Sequence, residues 1–212
     1  MLNLCVETGK SMKKHWKPGT MIAPVPAVLV SCGATPEEYN MLTVAWTGTI
    51  CSEPAMCYVS IRPERHSYEI VKRTGEFVIN LTNEALAEAT DWCGVRSGRH
   101  FDKFKECGLS VEKSAVVSAP SIAEAPVSIE CRVKDIIPLG SHDMFIGEVV
   151  SVAVDEQYID PETGKLDLGK AKLIAYAHGE YFTLGEKLGT FGWTVKGSSQ
   201  RSEMRKGRKS RK

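Results

Sequence analysis

The fold is decided by one stretch, residues 40–81, which reads NMLTVAWTGTICSEPAMCYVSIRPERHSYEIVKRTGEFVINL. A helix is predicted over Ser67–Thr74, because Ser67 is a suitable N-cap and Gly75 a natural residue to follow a helix. The rest of the stretch is rich in β-branched and aromatic residues, which strands favour. It predicts three strands, with a Ser-Glu-Pro turn between the first two: Leu42–Ile50, Met56–Arg62 and Phe77–Leu81.

Further strands and helices are predicted on either side of this stretch. Val127–Ile137 alternates apolar and polar side chains, as a half-buried strand does, whereas Met144–Val154 is apolar on both faces. Strands outnumber helices, and there is no regular strand–helix alternation. The pattern therefore predicts a mainly β protein, a β-barrel with a few short connecting helices. The remaining predicted elements are two strands, Ala27–Ser31 and Leu173–Ala177, and two helices, Asn83–Trp92 and Phe101–Cys107.

Charge divides the chain into a body and a tail. The 212 residues include 27 basic and 26 acidic side chains, a formal net charge of +1. Residues 196–212 contain eight Lys or Arg and one acidic residue, so residues 1–195 carry a net charge of −6. We predict an N-terminal extension over 1–19, one domain over 20–195 and a disordered basic tail over 196–212. The acidic body argues against nucleic-acid binding.

Several kinds of site and segment are not expected. None of the seven cysteines lies closer than six residues to another, so there is no CxxC motif and we expect no metal site. The thiols are expected to be reduced, in a cytoplasmic protein. No apolar run approaches the roughly 18 residues of a membrane span, and the N-terminus lacks a signal-peptide core. Residues 164–171 match a P-loop in spacing but end in alanine, so a simple turn is the favoured interpretation.

An anion site is predicted where the second strand of the opening stretch meets the helix. Arg62, Arg65 and Ser67 converge there beside the positive end of the helix. Free amide groups and cations in that position suit a phosphate monoester. A solvated basic turn is the alternative interpretation.

Three other stretches have features of a ligand site. The strand carrying Thr43, Trp46 and Thr47 could support a flat aromatic ligand, although an amphipathic surface strand shows the same pattern. The loop Cys93–Phe104 has three cations and two glycines and could close over a ligand or a neighbouring subunit. His142 lies in a turn, where it could meet a negative group or a reactive ring, although turn histidines are often surface residues.

In their order along the chain, these stretches resemble the flavin reductase-like family, and within it the flavoredoxin branch, whose members bind FMN on a split β-barrel. The matching segments are NMLTVAWTGTICSEP, YVSIRPERHSYEIVKRTGEFVINL, CGVRSGRHFDKF, GSHDMFIGEVVSV and GEYFTLGEKLGTFG. They cover about residues 20–192. The resemblance implies an FMN-binding split barrel of Greek-key-like topology, with FMN held non-covalently.

The resemblance also implies where the cofactor binds. It places the FMN phosphate around Arg62 and Ser67, with Lys103 assisting, and it gives His142 a catalytic role in nicotinamide docking or ring contact. The family commonly has Gly-Asp-His at this turn, whereas this chain has Ser141 before the histidine. The resemblance also implies that a further set of residues contacts the isoalloxazine ring or forms the rim of its site: Ala45, Trp46, Thr47, Ser60, Ile61, Asn80, Leu81 and Ser97.

Two functions follow from the resemblance. The first is an FMN-binding oxidoreductase similar to NAD(P)H-dependent flavin reductases, with NADH or NADPH as donor. The second is a flavoredoxin-type electron-transfer protein, reduced by a partner such as a ferredoxin and lacking a nicotinamide site. A homodimer with FMN at the subunit interface is implied in both cases. Hydrogen bonds from Thr47 or from backbone amides to the ring edge would favour the reduced flavin.

Overall fold

The computed structural model describes residues 12–196 and has an antiparallel sheet of seven strands at its centre. Its strands are β1 (Val25–Pro26), β2 (Val28–Cys32), β3 (Asn40–Val44), β4 (Thr47–Ser52), β5 (Ala55–Ile61), β6 (Glu76–Leu81), β7 (Val111–Glu112), β8 (Ser121–Ile122), β9 (Val127–Pro138), β10 (Asp143–Val154), β11 (Ile174–Ala177) and β12 (Glu180–Thr183). Its α-helices are α1 (His66–Thr74), α2 (Ala87–Val95), α3 (Lys103–Cys107) and α4 (Trp193–Lys196). Short 3-10 helices cover Pro36–Glu38, Glu84–Leu86 and Glu156–Tyr158.

The central sheet closes on itself between its two edge strands. Its order is β3-β2-β6-β9-β10-β5-β4, so β3 and β4 lie at opposite edges, yet only Ala45 and Trp46 separate them in the chain. Three peptide steps reach at most roughly 11 Å, so the two edges must lie side by side. The backbone amide of Ser60 in β5 donates to the carbonyl of Trp46 at 3.0 Å, which extends the pairing of β5 with β4 up to the seam. The sheet is therefore a barrel with a seam at residues 45–46.

The seam corrects one prediction from the sequence. Leu42–Ile50 is predicted as a single strand, whereas the structure divides it into β3 and β4. The residue pattern does not indicate the break, because both halves form strands. The break arises from closure of the sheet. The other six predicted strands are present, with ends shifted by up to a few residues, and the mainly β prediction is confirmed.

The helix predictions are confirmed in place and corrected in detail. α1 begins at His66 with Arg65 as its N-cap, so Ser67 lies inside the first turn and is not the cap. Gly75 ends this helix with a φ of 69°, in the left-handed conformation that glycine adopts without strain. Asn83 is a cap as predicted, because its side chain accepts a hydrogen bond from the amide of Leu86 at 3.2 Å.

Hydrophobic side chains form two main clusters on opposite faces of the sheet. Strand β2 contributes to both, since successive side chains of a strand point to opposite faces. Val28 and Val30 pack in the barrel interior, whereas Leu29 packs with Cys93 of α2 and Phe104 of α3. The two helices are therefore fixed against the outside of the barrel, next to the seam strand β3.

Gly147→Ala is expected to lower the free energy of unfolding by about 2 kcal/mol, because the barrel core is closely packed. An added Cβ would lie 2.7 Å from Cζ of Phe77 and 3.2 Å from Cβ of Cys131. Denaturant unfolding measures the change. Gly185→Ala is the control, since open space surrounds that position. Equal stability of Gly147→Ala and the parent protein would contradict this packing.

The structure describes the β11–β12 hairpin in full but only parts of the two terminal segments. β11 and β12 form a hairpin that pairs with β1 in a separate three-stranded sheet. The predicted N-terminal extension is described from Met12 onward, and the predicted basic tail lies outside the described residues except for Lys196. Within residues 12–196, no helix is long and apolar enough to span a bilayer.

Candidate functional site

A cavity of about 610 Å³ lies over the barrel seam. The seam residues Ala45 and Trp46 line it, together with His142 from the turn before β10. Aromatic and polar side chains of the β11–β12 hairpin form another wall. The other lining residues that matter for its chemistry are Thr43, Arg62, Arg65, Asp91, Gly94, Tyr176, His178 and Tyr181.

A smaller cavity of about 340 Å³ adjoins the first, and the two share Thr43, Arg65 and Gly94 in their walls. Its lining is strongly cationic. The polar and charged side chains around it come from the start of α1 and from the loop that leads from α2 to α3: Glu64, Arg65, His66, Ser67, Arg96, Ser97, Arg99 and Lys103. A cavity with aromatic walls thus adjoins a second cavity with a cationic lining.

Lys103 is the most buried cation of the smaller cavity, with 3% of its surface exposed. Its Nζ donates to the backbone carbonyl of Cys93 at 2.7 Å. Burial lowers the pKa of Lys103 below its ordinary value, and Arg65 lowers it further. An ammonium carries three N–H donors, so Lys103 can also bind an anion in the cavity. A buried cation of this kind favours a charged ligand.

Arg65 and Arg99 are held in place by backbone carbonyls on opposite sides of the smaller cavity. Arg65 donates to the carbonyl of Gly94 at 3.1 Å, and Arg99 donates to the carbonyl of Glu64 at 3.0 Å. These bonds tie the start of α1 to the α2–α3 loop. The two guanidinium groups are therefore positioned before any ligand arrives.

Ser67, which is predicted to contact the phosphate, is buried and lines the smaller cavity. The side-chain amide of Asn40 in β3 donates to its hydroxyl oxygen at 2.7 Å. Gly98 packs on the same amide, and a Cβ there would come within 2.3 Å of Asn40 Oδ1. The close approach of the 97–103 loop to β3 thus requires glycine at position 98.

Arg62 lies apart from the other predicted phosphate residues. It lines the larger cavity and does not line the smaller one. Its guanidinium forms an exposed ion pair with Glu64 at 3.4 Å. Of the residues predicted for the phosphate, Ser67 and Lys103 line the smaller cavity and Arg62 does not.

His142 lies against the ring of Trp46, with ring centroids 4.4 Å apart and planes tilted by 45°. Its Nδ1 is 3.0 Å from the hydroxyl oxygen of Ser141. Burial lowers the pKa of His142, as do the nearby Arg62 and Arg65, while Glu64 opposes them. The imidazole is therefore neutral near pH 7 and carries one N–H donor.

Several residues that are predicted to contact the flavin ring make other contacts in the structure. Thr47 donates its hydroxyl to the carbonyl of Tyr58 at 2.6 Å, and neither Thr47 nor its neighbours Ser60 and Ile61 lines either cavity. These three residues lie in β4 and β5 beside the seam and do not face either cavity. The structure gives no support to a hydrogen bond from the Thr47 hydroxyl to a flavin.

Asn80 and Leu81 also lie outside both cavity linings. Asn80 is fully buried, and its amide nitrogen donates to the carbonyl of Leu29 at 3.0 Å and to the hydroxyl of Ser31 at 2.9 Å. Its amide oxygen accepts from the amide of Ile122 and the hydroxyl of Ser128. The side chain of Asn80 therefore joins strands of the body, and it lines neither of the two cavities.

Sequence reasoning did not find the hairpin wall of the larger cavity. Tyr176, His178 and Tyr181 come from β11, the turn and β12, and β12 is not among the predicted strands. The available signal was the His178-Gly179 pair between two apolar segments, which resembles the turn of a tight hairpin. Among residues 12–196, no three His, Cys, Asp or Glu side chains are grouped as a metal site.

The fold and the paired cavities define a class, a split-barrel protein with an aromatic-walled cavity beside a cationic one. A family model for the flavin reductase-like domain matches residues 21–185, so the chain belongs to the flavin reductase-like family. Flavoredoxin of Desulfovibrio vulgaris (Miyazaki F) superposes with a TM-score of 0.80 at 31% identity, over 87% of this chain and all of that one.

Two further relatives support the assignment. Nitrilotriacetate monooxygenase component B from Bacillus cereus has a TM-score of 0.72 at 25% identity, over 80% of this chain and 88% of that one. An uncharacterised protein of Pyrococcus abyssi is 29% identical over 168 residues, which are 79% of this chain and 95% of that protein. The resemblance and the split-barrel fold expected from the sequence are confirmed, and a flavin-binding oxidoreductase is the class they support.

Proposed function

We propose that the protein binds FMN non-covalently, with the phosphate in the smaller cavity and the ring in the larger one. The observation that supports the proposal is the cationic cavity around buried Lys103, which adjoins an aromatic-walled cavity over the barrel seam. Phosphate is a doubly charged group with several acceptor oxygens, which suits clustered Arg, Lys and Ser donors. Lys103, Arg65, Arg99 and Ser67 would hold it.

The seam residues would position the flavin ring. Ala45 and Trp46 line the larger cavity where β3 and β4 meet, and both belong to a rigid barrel wall. When bound, FMN supplies an isoalloxazine ring that can accept a hydride or single electrons. The protein's own contribution is to orient that ring and limit the access of water to it.

His142 would offer one hydrogen bond to a ligand in the larger cavity. Its imidazole is neutral near pH 7, and Ser141 lies at its Nδ1. If the serine hydroxyl donates to Nδ1, the remaining N–H is on Nε2. A neutral imidazole suits contact with a nicotinamide carboxamide or with the flavin ring better than proton transfer from a charged acid.

We propose that the activity is that of an oxidoreductase similar to NAD(P)H-dependent flavin reductases. The FMN-loaded protein is then expected to lose its oxidised-flavin absorbance when mixed anaerobically with NADH or NADPH. Stopped-flow absorbance at the flavin band measures this reduction. Failure of both nucleotides, with rapid bleaching by a reduced ferredoxin, would overturn the reductase proposal.

The second candidate is a flavoredoxin-type electron carrier, reduced by a protein partner and without a nicotinamide site. Two observations favour it: Ser141 replaces the acid that the family commonly has beside the turn histidine, and the solved flavoredoxin is similar along its whole length. The same stopped-flow experiment separates the two functions, because each predicts a different effective donor.

We propose a homodimer with FMN at the subunit interface. The support is the apolar rim of the larger cavity, where Ile22 is 89% exposed and Val95 is 70% exposed. Apolar side chains at the mouth of a cavity are typical of a surface that another chain covers. Analytical ultracentrifugation of the FMN-loaded protein tests this, and a monomer at micromolar concentration would contradict it.

We also propose a cytoplasmic location. The sulfur atoms of Cys57 and Cys131 are 3.4 Å apart and those of Cys93 and Cys107 are 3.7 Å apart, so both pairs are in contact without a bond. Neighbouring thiols that remain reduced are expected where the cell keeps a reducing environment.

A further inference from the structure

The turn between β11 and β12 places an unusual residue on the larger cavity. Its two residues, His178 and Gly179, have φ values of 49° and 91° and connect paired residues Ala177 and Glu180. Positive φ at both positions is the type I′ turn, whose first position favours Asn or Gly. Non-glycine residues with positive φ are uncommon, and among the described residues only Lys172 and His178 have one. Such residues are concentrated at functional sites.

The hairpin is anchored, so the turn has a fixed place over the cavity. The hydroxyl of Tyr181 hydrogen-bonds Asp91 of α2, and burial together with this carboxylate raises the pKa of Tyr181 to about 12. Tyr176 pairs with Tyr181 across the strands, with ring centroids 5.4 Å apart. β11 is also paired with β1, where Tyr176 lies opposite Val25.

The imidazole of His178 is available for a ligand. Within the part of the chain that the structure describes, no side chain or backbone group forms a hydrogen bond or ion pair with it. The wall of this cavity also has the rings of Trp46, Tyr176 and Tyr181 and the cations Arg62 and Arg65. The carboxylate in the lining, Asp91, is hydrogen-bonded by Tyr181. The wall therefore offers aromatic faces for a planar molecule and donors for an oxygen, while the two cations disfavour a positively charged ligand.

We propose that His178 recognises a second ligand of the larger cavity, a planar molecule that bears a carboxylate or carbonyl oxygen. An imidazole N–H donates to that oxygen while the aromatic walls contact the plane of the molecule. This inference rests on the proposed function, in which the flavin shares the larger cavity with the compound that exchanges electrons with it.

The test is a calorimetric titration of the FMN-loaded protein with benzoate, and with benzylamine as a cationic ring of similar size. The variants are His178→Asn and His178→Gly, because both residues suit a type I′ turn and preserve the hairpin. His100→Asn is the matched control, since His100 is exposed and does not line the larger cavity. Melting temperatures and FMN affinities of all variants verify that the fold and the flavin site are intact.

Benzoate is expected to bind the parent protein and the control alike, to bind both His178 variants about tenfold more weakly, and to be preferred over benzylamine. Three results would each overturn the inference: equal benzoate affinity with and without His178, no benzoate binding, or equal binding of benzylamine. Failure to load FMN would instead refute the proposed function. The same titration of the flavin-free protein, in phosphate buffer to supply the smaller cavity with an anion, would then decide the role of His178.

Discussion

Lys103→Met is expected to weaken FMN binding by about 10- to 100-fold and to leave riboflavin binding unchanged. Methionine keeps an unbranched apolar chain in a position that is 3% exposed, and it removes the ammonium that faces the smaller cavity. A hydrogen bond to a charged group in a buried place is worth more than one at the surface. Riboflavin lacks the phosphate, so it reports on the ring site alone. Fluorescence quenching on titration of each flavin measures both affinities.

Lys105→Met is the matched control for this experiment. Lys105 lies in the same short helix, α3, but is exposed and lines neither cavity. Its replacement removes the same charge from the protein without touching the anion site, and FMN affinity is expected to change by less than about twofold at moderate ionic strength. Equal FMN affinity of Lys103→Met and the parent protein would place the phosphate elsewhere.

Glu130→Gln is expected to lower the free energy of unfolding by about 3 kcal/mol at pH 7. Glu130 in β9 is 1% exposed, and its carboxylate accepts hydrogen bonds from the backbone amides of Ala115, Val116 and Val117 at 2.9, 2.7 and 3.0 Å. An amide in its place has one acceptor oxygen and directs N–H donors at backbone N–H groups. Urea unfolding measures the loss. The control is Glu112→Gln in exposed β7, which should change stability little.

The contribution of Glu130 to the free energy of unfolding should decrease as the pH falls. Burial raises the pKa of Glu130, but the three backbone N–H bonds outweigh it, so the folded-state pKa lies below the ordinary value of 4.5. A lowered pKa stabilises the folded protein fully above the unfolded-state value, and this stabilisation is lost as pH falls through the folded-state value. The stability difference between parent and Glu130→Gln should be constant from pH 6 to 8 and shrink below about pH 4.5. A difference that grows on acidification would contradict this origin.

The strands were predictable because each has a local signature, whereas closure of the barrel was not. Val127–Pro138 and Asp143–Val154 are long runs whose side-chain pattern identifies them without tertiary information. The break at Ala45–Trp46 depends on β3 and β4 being at opposite edges of one sheet, which is a property of the order of all seven strands. The residue pattern of a single strand does not predict that order.

Cations of the candidate site were predictable as a group but not individually. Arg62 and Arg65 lie three residues apart in one basic turn, and only the structure separates Arg62 beside Glu64 from Arg65 between the two cavities. The structural role of Asn80 was not predictable either. Four of its side-chain hydrogen-bond partners lie in residues distant in sequence, so the local pattern could not indicate that Asn80 joins these segments: Leu29, Ser31, Ile122 and Ser128.

The central claim is that the paired cavities hold one FMN per chain. The most direct measurement is the absorption spectrum of the purified protein after incubation with FMN and removal of free flavin, followed by chromatography of the chromophore released on denaturation. We expect a yellow protein with an oxidised-flavin spectrum that releases FMN in a one-to-one ratio. A colourless protein that takes up no FMN would contradict it.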